Sequence, residues 1–411
     1  MTLITRFSLS LDMEKFYMIY PPQHVKQILR TLQSREHQAF LVGGCVRDML
    51  LDIVPQDWDI CTSALPSQIM ELFPGSRPTG IQHGTVTVVV SNHEVEVTTF
   101  RKEDQYQDHR HPDNVSFVSD LTTDLSRRDF TINAMAVSSE GDLVDPFYGM
   151  DDLNRRVIRC VGNPDIRFNE DALRMYRALR FSARYDFSID ELTKISIRKN
   201  AASAQYLAAE RIRDELHKIL QSDHTDRLNE IAEMHLLDRF CTTTKSIPDF
   251  TDLSKLKKHA HIRWAGFCHL LKHAGWIQSA SQFLHALRMD NRTIKICSTC
   301  SLLLDTNPPD GRISWKKALS KYGTDSVECA AMITDWLQGT KYQKEVSSIL
   351  RSGECFSLKF LAIDGKDLME HGYSGPVLGE MLQFLLDYVI EHPENNKREL
   401  LIQLAGDHEE T

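Results

Sequence analysis

The chain lacks any apolar run of about 18 residues, which excludes a membrane-spanning helix. Its opening stretch, MTLITRFSLSLDMEKFYMIY, is broken by Asp12, Glu14 and Lys15 before a signal-peptide core could form. Internal repeats and low-complexity segments are also missing. The nine cysteines are an odd number with no repeated spacing, as expected of a reduced, cytoplasmic set. Cys297 and Cys300 have the C-x-x-C spacing, but no second pair or closely spaced His pair completes a four-ligand zinc site. What remains is an ordinary globular composition, 42% hydrophobic and 26% charged over 411 residues, long enough for about two to four domains.

A formal charge of −9, from 48 basic and 57 acidic residues, argues as an average against an anionic partner. The charge is not evenly spread. Residues 253–317 hold eleven Lys and Arg against three Asp, a net of +8, whereas residues 353–411 hold four basic and twelve acidic residues, a net of −8. The basic block fits either a solvated helix face or a surface for an anionic polymer, with Lys257 and Lys258 as its candidate RNA contacts.

Short β-branched runs between about 38 and 161 predict strands: AFLVGG, DWDICT, GTVTVVVS, EVEVTTF, TINAMAVSS and RVIRCVG. CVRDMLL between the first two predicts a helix, and SNH at 91–93 and EGD at 140–142 predict hairpin turns. After Pro164 the spacing of Leu173, Tyr176, Leu179 and Ala183 is helical, and no further strand is expected. The expectation is an α+β chain, a mixed or antiparallel sheet followed by helices.

Gly43 and Gly44 fall at the first strand-to-helix turn, where bare backbone can approach an anion. Arg47 and Asp48 follow on the helix. Asp57 and Asp59, read as i and i+2 of the next strand, would point to one face, and two such carboxylates repel unless a cation lies between them. The same pair also fits two solvated residues flanking a tryptophan on an edge strand. Glu96 is the candidate third carboxylate, because Val95 and Val97 mark the buried face of its strand. Three carboxylates beside a phosphate-binding turn suit Mg²⁺ and in-line displacement. Arg127 and Arg128 before TINAMAV suit a polyphosphate or ribose, or a surface ion-pair cluster.

Asp171, Arg174, Arg177 and Arg180 recur at three-residue intervals in NEDALRMYRALRF, read as one helix. An i, i+3 Asp–Arg pair is ordinarily a helix salt bridge. It also sets an acceptor beside donors, which matches the amino group and ring nitrogen of cytosine or adenine and opposes the carbonyl of uracil or guanine. Arg177 and Arg180 would reach phosphate or solvent.

GGCVRD with DWD, then VEVTTFR, RRDFTINAM, DPFYGMDDL, EDALRMYRALRF and ERIRDEL resemble, in that order, the class II tRNA nucleotidyltransferases, the CCA-adding and poly(A) polymerase family of the polymerase-β superfamily. The resemblance covers residues 37 to about 220. It implies a nucleotidyltransferase head with a mixed sheet over residues 1–155, a neck at 156–221, a helical body at 222–312 and a helical tail at 313–411, the last two holding tRNA. It implies untemplated addition of C, C and A to tRNA from CTP and ATP with Mg²⁺, in a monomer or homodimer. Residue by residue, Gly44, Arg47 and Arg128 resemble nucleotide contacts and Asp57 and Asp59 metal ligands. Asp171 and Arg174 resemble the base-reading pair, Arg177 and Arg180 further nucleotide contacts, and ERIRDEL a brace for that helix. Asp52 departs from the family's usual glycine, a position where Asp tolerates left-handed geometry.

Family members that add only CC lack a loop that RKEDQYQDHRHPDNV, residues 101–115, resembles in full, which favours CCA addition over CC addition, with an A-adding enzyme as a further alternative. Poly(A) synthesis is less well separated, since the motifs are shared. A catalytically dead RNA-binding relative would have lost Asp57, Asp59 or the arginines, and all are present. A fused phosphohydrolase activity would need a His-Asp dyad, and no His is followed directly by Asp.

Overall fold

A computed structural model describes residues 20–106, 112–242, 246–306 and 309–409. The N-terminal segment 1–19 and the middle of the 101–115 segment, residues 107–111, lie outside the described residues. The chain divides into two compact units: Met1–Ile219 with Glu230–Arg239, and Leu220–Asn229 with Phe240–Thr411.

The first unit is built on a mixed sheet of seven strands. In chain order these are β1 (Ala39–Val42), β2 (Asp59–Thr62), β3 (Arg77–Gly80), β4 (Thr85–Val90), β5 (His93–Thr99), β8 (Ala136–Val137) and β9 (Leu143–Val144). Across the sheet they run β3-β4-β5-β2-β1-β8-β9, and only β2 and β5 are parallel. Alternation decides the faces: Val86, Val88, Val95 and Val97 are buried, which leaves Glu94 and Glu96 on the opposite, exposed side of β5. Ser91 and Asn92 take positive φ, so the SNH turn closes the β4–β5 hairpin as expected. Helix α1 (Gln23–Gln33) buries Val25, Ile28, Leu29 and Leu32, and α2 (Gly44–Leu50) follows β1 directly. Asp52 ends the α2 turn at φ 55°, the left-handed geometry its side chain permits.

Two expectations need correcting. The 101–115 segment is not simply a loop, since β6 (Arg101–Tyr106) and β7 (Pro112–Phe117) pair antiparallel as their own two-stranded sheet. RVIRCVG does not join the main sheet: β10 (Val157–Ile158) pairs in parallel with β11 (Ser188–Ile189), a two-residue strand beyond Pro164 where only helix was expected. A pair this short carries little periodicity, and its register depends on tertiary contact.

Helices then dominate. In the first unit, α3 (Pro66–Leu72), α4 (Leu121–Ser126) and α5 (Gly149–Asn154) belong with the sheet. They are followed by α6 (Pro164–Glu170), α7 (Leu173–Tyr185), α8 (Glu191–Asn200) and α9 (Ala209–Leu220). Asn163 and Asp190 cap α6 and α8 through their side chains. The second unit is helical throughout its described residues, from Ala260–His273 to Arg398–Glu409. Its core includes Trp264, Phe267, Trp276, Trp315 and the thiols of Cys268, Cys297, Cys300 and Cys329. None of the nine cysteines is in a disulfide, and burial pushes the Cys268 and Cys297 thiols above their ordinary range. No helix among the described residues is long and apolar enough to cross a membrane.

Candidate active site

Gly43 ends β1 at φ 78°, a left-handed geometry that strains any side chain. A Cβ there would also lie 2.9 Å from Arg128 Nη1, so the guanidinium would have to move aside, while Asp59 Oδ2 at 3.9 Å would be in ordinary contact. The turn is therefore bare backbone set between a guanidinium and a carboxylate.

Asp59 opens β2 and stands in register with Glu96 of β5, which in turn pairs with Thr87 of β4. Residues in register on neighbouring strands share a face, so the two carboxylates are side by side. Burial pushes the Asp59 carboxyl up to about 6; the Arg128 charge opposes the rise, and Glu96 and Asp57 add to it. Asp57 is not on the strand, as the alternation suggested, but in the exposed bend before it. The antiparallel ladder between β1 and β2 pairs Leu41 with Ile60, and it runs out where Gly43 turns the chain into α2. A partner for Asp57 is thus missing from that ladder, although its charge still reaches Asp59.

Among the described residues no three His, Cys, Asp or Glu side chains are already gathered to hold a metal ion. The donor chemistry nonetheless fits a hard divalent cation: Asp57, Asp59 and Glu96 offer only oxygens, and the Glu96 and Asp57 charges raise the Asp59 carboxyl while the Arg128 charge acts against the rise. A cleft of about 610 Å³ opens on these carboxylates, lined also by Trp58, His24 and His93.

Arg128 leans on Asp124, Nη2 to Oδ2 at 3.4 Å, and its buried Nε has no partner among the described residues. Asp124, fully buried, also accepts from Arg127 Nε and Nη2 at 3.0 and 2.8 Å and from the Arg101 amide. Sequence reasoning passed over Asp124, although its i+3 and i+4 spacing to the two arginines was the available signal. Arg47 is buried rather than presented to an open cleft. It donates to Asp48 at 2.9 and 2.7 Å and to Asn133 at 2.5 Å, and its guanidinium lies over the rings of Tyr185 and Phe181.

The 171–180 arginines do not form the pattern expected. The helix breaks: α6 ends at Glu170, Asp171 has extended backbone, and α7 begins at Leu173. Freed from the helix, Asp171 accepts from the Leu173 amide at 3.0 Å and from Arg211 of α9 at 2.8 and 3.3 Å. Arg174 pairs instead with Glu170 at 2.6 Å and donates to the Arg127 and Arg167 carbonyls. Neither Arg177 nor Arg180 is loose in solvent. Arg177 donates to Asp129 Oδ2 at 2.9 and 2.6 Å, and Arg180 is ion-paired with Glu215 of α9. ERIRDEL therefore holds both ends of the arginine series through Arg211 and Glu215. Burial works against ionisation of Asp129, yet the Arg177 charge and the Asn133 amide hold its carboxyl well below the usual range.

In the second unit much of the basic block is already committed. Arg263 is buried and donates to the carbonyls of Leu220, Ser222, Ser254 and Leu256. Lys316 is buried against Glu354, while Lys272, Arg292 and Lys317 pair with Asp305, Asp325 and Glu391. Lys258 meets the exposed Asp223 at 2.7 Å, and Lys257 is exposed. Part of the +8 counted along the sequence is thus met in space by Asp223, Asp325, Glu354 and Glu391, which lie outside the counted segment.

Family models match along most of the chain: the poly A polymerase head domain over residues 39–159, the probable RNA and SrmB-binding site of polymerase A over 186–245, and the putative tRNA nucleotidyltransferase domain 2 over 255–405. The CCA-adding enzyme of Geobacillus sp. (strain WCH70) is 37% identical over 92% of this chain and 95% of its own, and that of Anoxybacillus flavithermus is 35% identical over 92% and 95%. The crystal structure of the Bacillus stearothermophilus CCA-adding enzyme in complex with CTP superimposes with a TM-score of 0.79 at 30% identity, over 95% of this chain and 100% of that one. The Thermotoga maritima CCA-adding enzyme complexed with tRNA shares the fold, with a TM-score of 0.65 at 20% identity over 93% and 94%.

Removing the guanidinium from the Asp129 pair should leave a buried carboxylate without its counter-charge. Arg177→Met is expected to cost about 3 kcal/mol near neutral pH. Because the folded-state pKa of Asp129 is depressed, the pair's stabilisation is complete above the ordinary carboxylate range and is lost as pH falls below it. Urea unfolding should therefore show the gap between wild type and variant closing from pH 7 toward pH 3. A gap independent of pH would assign the effect to packing.

Proposed function

This chain belongs to the CCA-adding enzyme family and is a tRNA nucleotidyltransferase, and we propose that it adds C, C and A to tRNA 3′ ends from CTP and ATP, releasing pyrophosphate at each step. The observation that carries this reading is the juxtaposition of Gly43, Arg128 and Asp59, with Glu96 in register beside Asp59. The bare turn at Gly43 lets triphosphate oxygens approach, and Arg128, with an uncommitted Nε, supplies donors to phosphate or sugar. Asp59, Glu96 and Asp57 would hold Mg²⁺, which when bound lowers the pKa of the attacking hydroxyl and neutralises the leaving pyrophosphate. The RNA 3′ oxygen forms a bond to the α-phosphorus, the bond from that phosphorus to the bridging oxygen breaks, and the hydroxyl proton is lost.

Asp171 and Arg174 read the incoming base, the carboxylate accepting the amino group and the guanidinium donating to the ring nitrogen. Supporting this, Arg211 and the Leu173 amide orient the carboxylate from one side, while Glu170 fixes Arg174. Arg177 and Arg180, positioned by Asp129 and Glu215, are the further nucleotide contacts of this reading. Over residues 1–155 we assign the catalytic head, over 156–221 the neck, and over 222–312 and 313–411 a body and tail that bind tRNA. The 101–115 segment, complete in sequence, favours CCA over CC addition.

Incubation with tRNA lacking its 3′ end and with CTP, ATP or both should give two added residues, none, and three, read by sequencing product ends. A lone A or a long tail would select an A-adding enzyme or a poly(A) polymerase instead. Asp59→Ala should abolish addition while tRNA binding survives. Changing Asp171 or Arg174 to Ala should raise UTP and GTP incorporation by at least about tenfold, the scale on which losing one mismatched polar contact is felt. Charge reversal at Lys257 and Lys258 should weaken tRNA binding and flatten its salt dependence, measured by filter binding across salt concentrations.

A further inference from the structure

The cleft beside the carboxylates has a wall that the nucleotide reading does not use. His24 of α1 and His93 at the start of β5 stack with ring centroids 4.1 Å apart and planes 11° from parallel. Both line the cleft together with Trp58, Asp57, Asp59 and Glu96; among the described residues no Lys or Arg lines it, and the nearby Arg77 is committed to the lining Glu94 at 2.6 Å. A triphosphate demands cations, so this cleft is poorly made for one. It is suited to the neutral parts of a nucleotide, the sugar and the base.

The sheet order indicates which nucleotide. On one side of β2 lies β1 with the Gly43 turn, where Arg128 approaches; on the other lie β5 and β4 with Glu96, Thr87 and the cleft. In phosphoryl transfer the attacking and leaving oxygens lie roughly in line on opposite sides of the phosphorus. If pyrophosphate leaves toward Gly43 and Arg128, the attacking hydroxyl enters from the cleft. We propose that the stacked His24–His93 pair is a binding shelf for the 3′-terminal nucleoside of the RNA, whose base continues the stack while its 3′ hydroxyl faces Asp59 and Glu96. Stacking on planar side chains is tolerant of base identity, as a primer end that changes from the tRNA's own last base to C and then C again requires. Burial and the neighbouring His93 lower the His24 pKa, which keeps its ring neutral and apt to stack at neutral pH.

This inference rests on the nucleotidyltransferase reading, and kinetics separate the two. If wild type adds no CMP to tRNA lacking its 3′ end, the functional reading fails. If wild type is active, His24→Ala and His93→Ala should each raise the KM for that tRNA by about tenfold, on the scale of one lost base stack, with the KM for CTP and the unfolding midpoint unchanged. The ring-bearing His24→Phe and His93→Phe variants should recover most of the loss. An unchanged KM for tRNA, or KM values for tRNA and CTP that rise together, would overturn the proposal. Independently of variant folding, the imidazole NMR signals of His24 and His93 in the wild-type protein should shift on adding tRNA lacking its 3′ end and not on adding CTP alone. Signals that stay fixed with bound tRNA would likewise overturn it.

Discussion

Like charges held close on one sheet face constrain everything around them in the first unit. The parallel register of β2 and β5 puts Asp59 beside Glu96, the bend at Asp57 adds a third charge, and burial leaves Asp59 reluctant to ionise. Such a cluster is costly by itself and stable in company with positive charge. Arg128 supplies part of that charge from across the Gly43 turn, so close that a side chain at Gly43 would push its guanidinium aside. The remainder is what the proposed divalent cation would supply. Ground-state repulsion and ligand affinity are two sides of one arrangement.

Around this centre the structure spends buried ion pairs on position rather than on raw stability, since such pairs repay little beyond their desolvation. Asp124 gathers Arg127 and Arg128, Asp129 takes Arg177, and Arg47 is locked by Asp48 and Asn133 beneath Tyr185. These contacts tie the sheet to α7. From the other side α9 fixes Asp171 through Arg211 and Arg180 through Glu215. The candidate base-reading residues are therefore held by partners on both neighbouring elements, so their geometry is settled before any base arrives.

Much of this was legible in the residues, and the rest was not for identifiable reasons. Strand alternation at Val95 and Val97 located Glu96 on the open face, and the glycine pair located the turn. Local spacing misled where a tertiary contact competed with it. Asp171 reads as helical by its interval to Arg174, yet it leaves the helix to cap α7 and meet Arg211, forty positions along the chain. Asp57 reads as a strand residue, but the ladder ends before reaching it. Segment charge misled in the same way, because Arg263 spends its donors on carbonyls and Lys316 meets a glutamate outside the counted window. Sequence shows which residues are present, while pairing over long separations decides which of them remain available.

If the Asp59–Glu96 cluster holds a divalent cation, Mn²⁺ titrated as a paramagnetic stand-in for Mg²⁺ into the protein with CTP, and followed as free Mn²⁺ by EPR, should bind to wild type and be lost from Asp59→Asn, which still retains tRNA. Equal Mn²⁺ binding by the two proteins would show that the carboxylates do not hold the cation.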